Sequence, residues 1–148
     1  MVELKAGYLF KGHTADVEFI ARGASLEEAF KNAILAMLDT VADISAIKRS
    51  KSKKVQVVIK DSARNIEDLL WITLQDVLSA TDSRGVFGYK VERLNIKSNA
   101  KGYRIHAIIL SKEQEPKYSN IYVKGVSRFD MSVRKTAHGY TAKAVLDV

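Results

Sequence analysis

The residues best suited to chemistry lie in two short segments near opposite ends of the sequence. Asp16 follows His13 by three residues and precedes an alternating run of apolar and polar residues, and Asp147 stands one position before Val148. Carboxylate oxygens are hard ligands that suit a divalent cation. An Asp in a turn also accepts backbone hydrogen bonds, and an Asp near a chain end is often simply exposed. Composition and spacing alone favour these structural explanations over a metal site.

Motifs of common enzymes are missing from the sequence. It contains no Gly-x-x-x-x-Gly-Lys phosphate loop, no Gly-x-Gly-x-x-Gly, no His-Glu-x-x-His and no Gly-x-Ser-x-Gly. The absence of cysteine excludes a thiol nucleophile, a disulfide framework and Cys-ligated zinc or iron–sulfur sites. Because no nucleophile or general base is indicated beyond the carboxylates, an independent metal-dependent hydrolase is the least favoured function.

The sequence is basic, with 24 Lys and Arg against 17 Asp and Glu and a net charge of +7. The excess is concentrated in residues 75–148, which hold 13 basic and 7 acidic side chains. The densest local cluster consists of Lys48, Arg49, Lys51, Lys53 and Lys54. Such a cluster can contact phosphates, but a solvated connector between a helix and a strand is the simpler interpretation. No aromatic residue interrupts the cluster, so base stacking is not indicated.

Size and composition suit one domain spanning residues 1–148. A chain of 148 residues with 47% hydrophobic and 28% charged residues is typical of a single globular core. No apolar run approaches the ~20 residues that span a bilayer, and the N-terminal residues lack the apolar stretch of a signal peptide. We therefore expect a cytoplasmic protein without a membrane partner.

Two amphipathic helices and several strands must position the acidic residues. The segment Ser25-Leu26-Glu27-Glu28 has the pattern of a capping box and opens a helix whose apolar stripe runs to Val41. Asn65 is placed to cap a second helix with a stripe from Ile66 to Leu78. Strands are predicted over residues 4–10, 17–23, 55–59, 86–96, 103–111, 126–135 and 140–148. This order predicts an α+β two-layer sandwich, with a mostly antiparallel sheet and both helices packed on one face.

Several segments, in order along essentially the whole chain, match one known family. The more specific ones are Gly12-His13-Thr14-Ala15-Asp16-Val17, Ser25-Leu26-Glu27-Glu28-Ala29-Phe30 and Val145-Leu146-Asp147-Val148. Weaker matches run from Asp68-Leu69-Leu70 through Gln75-Asp76-Val77-Leu78, and over Tyr122-Val123-Lys124-Gly125-Val126. In these segments the chain resembles the archease family, small proteins that assist the RtcB-type RNA ligase.

The resemblance implies a metal site that joins the two ends of the chain. Family members bind a divalent cation, described as calcium, through the Asp of the His-Thr-Ala-Asp motif and the last two residues. Here these are Asp16, Asp147 and Val148, the last through main-chain or terminal oxygens. Manganese and magnesium are alternatives for such an all-oxygen site. Further residues that the resemblance implies as partner contacts or supports of the site are His13, Asp43, Asp76 and Lys124.

Two segments depart from the family pattern. Gly12 stands where relatives often have Glu, and Ser127-Arg128-Phe129 stands where they often have Thr-Tyr-His or a similar segment. The second departure suggests a surface adapted to a different partner.

The function that the resemblance implies is that of a protein cofactor, not an enzyme. It would promote GTP-dependent guanylylation and repeated turnover of the RtcB-type ligase in tRNA splicing and RNA repair, with tRNA reached through the ligase. A second hypothesis is a chaperone or specificity modulator of a tRNA-modifying enzyme such as a methyltransferase, which would not need Asp16 or Asp147. A third is a plain RNA-binding domain, which rests on the net charge of +7.

Overall fold

The computed structural model describes residues 2–5, 7–11 and 16–148, so His13 lies outside the described residues. In these ranges the chain forms, in order, β1 (Val2–Lys5), β2 (Tyr8–Lys11), β3 (Val17–Gly23), α1 (Leu26–Val41), α2 (Ile44–Arg49), β4 (Lys54–Ala63), α3 (Ile66–Arg84), β5 (Val86–Asn99), β6 (Gly102–Glu113), β7 (Gly125–Val126), β8 (Ser132–Thr136) and β9 (Gly139–Asp147). A 3₁₀ turn, Pro116–Tyr118, lies between β6 and β7.

The strands pair antiparallel in two sheets. One sheet has the order β1-β2-β3-β9-β7, with β8 also paired to β9, and the other has the order β4-β6-β5. The α+β class, the antiparallel pairing and the two long helices of the sequence prediction are confirmed. The arrangement differs in that the strands form two sheets: β6 pairs with β4 on one side and with β5 on the other, and these three strands form a sheet of their own. Periodicity identifies strands but not which sheet each one joins.

Helix α1 packs against strands of both sheets, contacting β3 and β9 of one and β5 of the other. Residues around most of its circumference are therefore buried, among them Phe30, Ile34 and Met37. The helix begins as the capping pattern predicts, since the Ser25 hydroxyl accepts a hydrogen bond from the Glu28 N–H at 3.1 Å.

Helix α3 begins at the predicted cap and ends later than the predicted stripe. The Asn65 side-chain oxygen accepts a hydrogen bond from the Asp68 N–H at 2.8 Å. The helix continues past Leu78 to Arg84, and Gly85 follows in the left-handed region with φ of 61°. Glycine adopts this conformation without Cβ strain, so it ends the helix.

The short helix α2 is absent from the sequence prediction. The Asp43 carboxylate caps it by accepting a hydrogen bond from the Ala46 N–H at 3.1 Å, and Ile47 anchors it in the core. Six residues are too few to display a helical period, so this region was indistinguishable from a connector.

Two predicted strands are each divided in the structure. Residues 4–10 contribute to both β1 and β2, and residues 126–135 contribute to both β7 and β8. Between β7 and β8 lies Asp130, which has a φ of 58° and interrupts the extended backbone. Both segments still pair with β9, because Gly125 faces Asp147 and Ser132 faces Lys143.

One hydrophobic cluster joins the helices to both sheets. Its fully buried side chains include Phe19 of β3, Leu70 and Leu74 of α3, Ile109 of β6 and Leu146 of β9. Across the described ranges, no helix is both long enough and apolar enough to cross a membrane.

Candidate functional site

The two aspartates singled out in the sequence lie at the same end of two neighbouring strands. β3 pairs antiparallel with β9, and the last pair of their register is Val17 with Leu146. Asp16 precedes Val17 and Asp147 follows Leu146, so the same register, if carried one residue further, would set the two aspartates opposite each other. Residues opposed in this way have Cβ atoms about 5 Å apart. Both side chains are exposed, so their carboxylates are open to solvent.

The backbone of Asp147 is held from the other side by β7. Gly125 pairs with Asp147, and the Lys124 N–H donates a hydrogen bond to the Asp147 carbonyl oxygen at 2.7 Å. The Ser127 N–H donates a second bond to the Val145 carbonyl at 2.9 Å. The end of β9 is therefore fixed between two strands, and Lys124 lies beside Asp147 at the same edge. We call Asp16, Asp147 and Val148 the acidic tip.

The donor set of the acidic tip fits a hard divalent cation. It offers two aspartate carboxylates and the main-chain oxygens of Val148, which are ligands that calcium, magnesium and manganese accept. The residues that the structure describes contain no group of three or more His, Cys, Asp or Glu able to hold a metal. A cation at the tip would thus depend on Val148 and on water for its remaining ligands.

Lys124 is positioned by the loop that closes the C-terminal end of α1. The Asn120 N–H donates to the Val41 carbonyl at 2.9 Å, and the Ile121 N–H donates to the Thr40 carbonyl at 3.2 Å. These bonds satisfy carbonyls that the helix leaves without partners. The loop thereby leads directly from the helix end to the acidic tip.

Asp43 and Asp76 have structural partners elsewhere. Asp43 caps α2, and its N–H donates to the Tyr118 carbonyl at 2.9 Å. Asp76 of α3 faces Asp61 of β4, a residue that the sequence analysis did not single out. The resemblance to the family had named Asp76. Asp61 lies beyond the predicted strand of residues 55–59, and the sequence carries no signal that it pairs with a helix residue.

The Asp61 carboxyl is perturbed by its surroundings. It lies on the face of β4 that also carries the buried Val57 and Ile59, and its Oδ2 atom is buried without a hydrogen-bond partner. Burial, followed by the hydrogen bond to Asp76 and the charge of Asp76, raises the pKa of Asp61 to about 7. The pair therefore shares a proton through much of the acidic pH range.

Asp39 is a further acidic residue that the sequence analysis missed. Its carboxylate accepts a hydrogen bond from the Tyr8 hydroxyl at 3.1 Å, and its carbonyl accepts one from the Asn120 side chain at 3.3 Å. Asp39 lies among the apolar residues of α1, and the sequence gives no indication of its contacts. These contacts, with β2 and with the loop at Asn120, are visible only in the structure.

Residues of α3 support β7 from the side away from β9. The Trp71 indole N–H donates to the Val126 carbonyl at 2.8 Å, and the Gln75 side chain accepts from the Val126 N–H at 3.1 Å. The Arg128 guanidinium lies 3.9 Å from the Trp71 ring centroid, within the range of a cation–π contact.

Two large aromatic side chains are exposed on either side of Lys124 in the sequence. Tyr122 is 68% exposed and Phe129 is 76% exposed. Phe129 belongs to the segment that departs from the family pattern. Exposed aromatic side chains of this size are typical of surfaces that contact another protein.

Comparison with known proteins extends over almost the entire chain. The model of the Archease protein family (MTH1598/TM1083) matches residues 8–148. The protein archease of Methanosarcina mazei is 28% identical over 143 residues, covering 95% of each chain. The protein archease of Thermococcus gammatolerans is 31% identical over 133 residues, covering 86% of this chain and 87% of the relative.

Solved structures give the same result. The solution structure of protein 1598 of Methanobacterium thermoautotrophicum superposes with a TM-score of 0.77 at 26% identity, covering 97% of this chain and all of that one. The crystal structure of an archease from Thermotoga maritima, described as a possible chaperone, superposes with a TM-score of 0.63 at 17% identity. The superposition covers 92% of this chain and 93% of that one. At this identity the likeness supports the fold alone. Because the family model spans residues 8–148 of this sequence, the chain belongs to the Archease protein family.

Proposed function

We propose that this protein is a non-enzymatic activator of an RtcB-type RNA ligase in tRNA splicing and RNA repair. It would promote GTP-dependent guanylylation of the ligase and allow the ligase to turn over repeatedly. The observation that carries the proposal is the β3–β9 register, whose last pair, Val17 with Leu146, lies next to both Asp16 and Asp147 in the sequence. Membership in the Archease family supports one part of the proposal, that the protein acts together with a partner enzyme.

The chemistry of the acidic tip supports a role in nucleotidyl transfer. Oxygens of Asp16, Asp147 and Val148 would hold the divalent cation, with calcium favoured over manganese or magnesium. Such a cation supplies positive charge where negative charge develops on the transferred phosphoryl group. Lys124 adds a cationic side chain at the same edge, and its N–H keeps the Asp147 backbone in place.

The surroundings of the tip suit insertion into a protein partner. The exposed Tyr122 and Phe129, which flank Lys124 in the sequence, provide apolar area, and aromatic side chains frequently dominate binding energy at protein interfaces. Because the sheet order brings β3, β9 and β7 together at this edge, an acidic pair and a lysine would enter a partner pocket as one rigid unit.

The proposal is tested by ligation of cleaved tRNA halves with an RtcB-type ligase kept well below its substrate. Trace amounts of the protein are expected to convert stoichiometric ligation to repeated turnover and to accelerate guanylylation, which is followed in parallel. Asp16→Ala and Asp147→Ala should each abolish the stimulation, whereas Asp82→Ala, which removes an exposed carboxylate of α3, should not. Stimulation that survives in both tip variants, at unchanged melting temperature, would exclude the metal-bearing tip.

A second candidate function is a chaperone or specificity modulator of a tRNA-modifying enzyme such as a methyltransferase. The exposed Phe129 and Tyr122 favour it, since an apolar surface could cover aggregation-prone regions of a client. Suppression of methyltransferase aggregation should then be lost in Phe129→Ser and retained in Asp147→Ala. The opposite pattern would exclude this function.

A further inference from the structure

The outer face of the β4-β6-β5 sheet, turned away from the core, is strongly basic. Strand alternation sends Ile59, Ile105 and Ala107 into the core and leaves the residues between them in solvent. In register across the three strands, the outward rows are Lys60–His106–Asn95 and Ser62–Arg104–Lys97. Two more rows, Val58–Ile108–Arg93 and Gln56–Leu110–Lys90, continue the surface along the strands. We call this surface the basic sheet face. Its cations are Lys60, Lys90, Arg93, Lys97 and Arg104.

Among the described residues, the charge of the basic sheet face is not neutralised by ion pairs. The ion pairs recorded among the described residues join Lys117 to Glu115, Arg128 to Asp68, and Lys143 to both Glu18 and Asp130. None of these, within the part of the chain that the structure describes, involves a cation of the face. Acidic side chains in its vicinity are Glu92, in the bulge of β5, and Asp61, which belongs to the inner side of β4. The face therefore keeps a positive potential toward solvent.

A shallow hollow lies on this surface. It has a volume of about 690 Å³ and is lined by three cations, Lys60, Lys97 and Arg104, and one carboxyl group, Asp61, together with Ser62, Asn95, Ile105 and His106. Hydroxyl, amide and imidazole groups thus stand between the cations. Such groups donate and accept hydrogen bonds with sugar hydroxyls and phosphate oxygens.

The basic connector of residues 48–54 joins the same surface. Lys112 shares the outward direction of Arg104 and His106 on β6, yet it is only 4% exposed because the connector covers it. Its ammonium group donates to the Lys48 carbonyl at 3.1 Å and to the Ser50 carbonyl at 2.7 Å. These bonds tie the connector across the end of the sheet, where its exposed side chains continue the charge: Lys48, Arg49, Lys51, Lys53 and Lys54.

The dimensions of this surface suit a linear polyanion better than a compact acidic patch. Outward residues repeat about every 7 Å along a strand, so the path from Lys54 to Ser62 measures roughly 26 Å. This length exceeds the screening distance of about 8 Å at physiological ionic strength several times over. Only a ligand that carries charge along its whole length can engage both ends, as a phosphodiester chain does.

We propose that the basic sheet face and the connector of residues 48–54 together bind the sugar–phosphate backbone of single-stranded RNA. The four outward rows contain no Phe, Trp or Tyr, and the Tyr89 ring beside them is engaged by the Lys112 ammonium, 5.4 Å from the ring centroid. Contacts to the backbone therefore dominate over base stacking, and binding is independent of base sequence. Ser62, Asn95 and His106 lie where they can bond the ribose 2′-hydroxyl, which favours RNA over DNA. The surface does not include the acidic tip, so the inference goes beyond ligase activation and does not rest on it.

The test measures fluorescence anisotropy of a fluorescein-labelled mixed-sequence single-stranded RNA across a salt series. The face variant is Lys60→Glu, Lys97→Glu and Arg104→Glu combined, and the matched control is Lys31→Glu, Arg134→Glu and Lys135→Glu combined. All six positions are exposed, and both variants change the net charge by the same amount. Melting temperatures of the two variants verify that each remains folded.

The face variant is expected to bind RNA at least about tenfold more weakly than the wild type. Its slope of log K against log salt concentration should be shallower by roughly 2, because each lost phosphate contact removes ~0.7 from the slope for single strands. The control should bind like the wild type. A Lys51→Glu and Lys53→Glu double variant should show an intermediate loss if the connector belongs to the surface. Asp16→Ala should bind RNA normally, so this test is separate from ligase activation.

Four outcomes would overturn the proposal. Absence of wild-type binding, or an equal loss in the control variant, would show that the face holds no RNA site. Equal affinity for a DNA strand of the same sequence would contradict the assignment to RNA. Displacement of the RNA by polyglutamate as effectively as by unlabelled RNA, at equal charge concentration, would assign the face to an acidic protein instead.

Discussion

At the scale of single residues, Asp61 and Asp76 show how burial changes the chemistry of an ordinary side chain. Asp61 would be charged at neutral pH in water, but β4 turns it toward α3 and Asp76. Desolvation and the neighbouring carboxylate both oppose its ionisation, so one proton is retained between the two groups.

Stability should therefore depend on pH through this pair. The pKa of Asp61 is about 7 in the folded protein against 3.8 for the ordinary group, so the folded state holds the extra proton between these values. The free energy of unfolding contributed by the pair is consequently full below pH ~4 and is lost as the pH rises through ~7. Thermal unfolding measured from pH 4 to pH 8 should reveal this loss.

Asp61→Asn should remove that pH dependence, because the amide donates to Asp76 without needing a proton. At pH 8 we expect its melting temperature to exceed that of the wild type by about 2–4 °C, corresponding to roughly 1 kcal/mol after allowance for solvent screening of a partly exposed group. Asp82→Asn, which alters an exposed carboxylate of α3, serves as the control. An Asp61→Asn curve parallel to the wild type would show that the pair retains no proton.

At the scale of elements, β9 organises the candidate site. It pairs with β3 along one side and with β8 and then β7 along the other, so the position of Asp147 depends on its register with three strands. A slip by one residue would turn Leu146 outward and Asp147 toward the core. The burial of Ala142, Ala144 and Leu146 opposes such a slip.

The β8–β9 turn should be sensitive at Gly139. This residue has a φ of 143°, and a Cβ atom there would lie 2.1 Å from the Gly23 carbonyl oxygen. Gly139→Ala is expected to destabilise the protein by about 2 kcal/mol or more, measured by urea unfolding. Gly125→Ala in β7 is the matched control, since its nearest neighbour would be Gln75 Oε1 at 3.8 Å, an ordinary contact. Equal effects of the two substitutions would contradict a steric requirement at Gly139.

At the scale of the whole molecule, the fold separates two charged surfaces. The acidic tip lies at the ends of two interior strands of the six-stranded sheet, β3 and β9, and the basic sheet face covers the outside of the three-stranded sheet. Because α1 packs against both sheets, the two surfaces belong to one packed unit. Such a unit can present the acidic tip to one partner and the basic sheet face to another.

Calcium should stabilise the folded protein if the acidic tip binds it. Asp16 and Asp147 are 131 residues apart in sequence and meet only in the folded state, so the cation binds the unfolded chain weakly. At a concentration 100 times the dissociation constant, binding adds about 2.7 kcal/mol to the free energy of unfolding. Melting temperatures with calcium and with EDTA should differ in the wild type and in Asp82→Ala, but not in Asp147→Ala. A shift of equal size in Asp147→Ala would locate the cation elsewhere.

The sequence alone determined the features that depend on neighbouring residues. The caps at Ser25 and Asn65 and the apolar stripes of α1 and α3 are local, since helical hydrogen bonds join residues four apart. The same holds for the existence of most strands and for the α+β class. Residue type and position marked Asp16 and Asp147 as candidate cation ligands but favoured structural explanations for both. Resemblance to a known family then shifted the interpretation toward a metal site.

Only the tertiary structure decided which distant residues meet. The β3–β9 pairing brought the strand ends next to Asp16 and Asp147 together, the packing of α3 on β4 paired Asp76 with Asp61, and hydrogen bonds from Lys112 hold the connector on the outer sheet face. The division of the strands into two sheets was equally undetermined by pattern. The pairing partners and the registers depend on how much apolar surface the whole core buries. A local pattern of apolar residues does not contain that information.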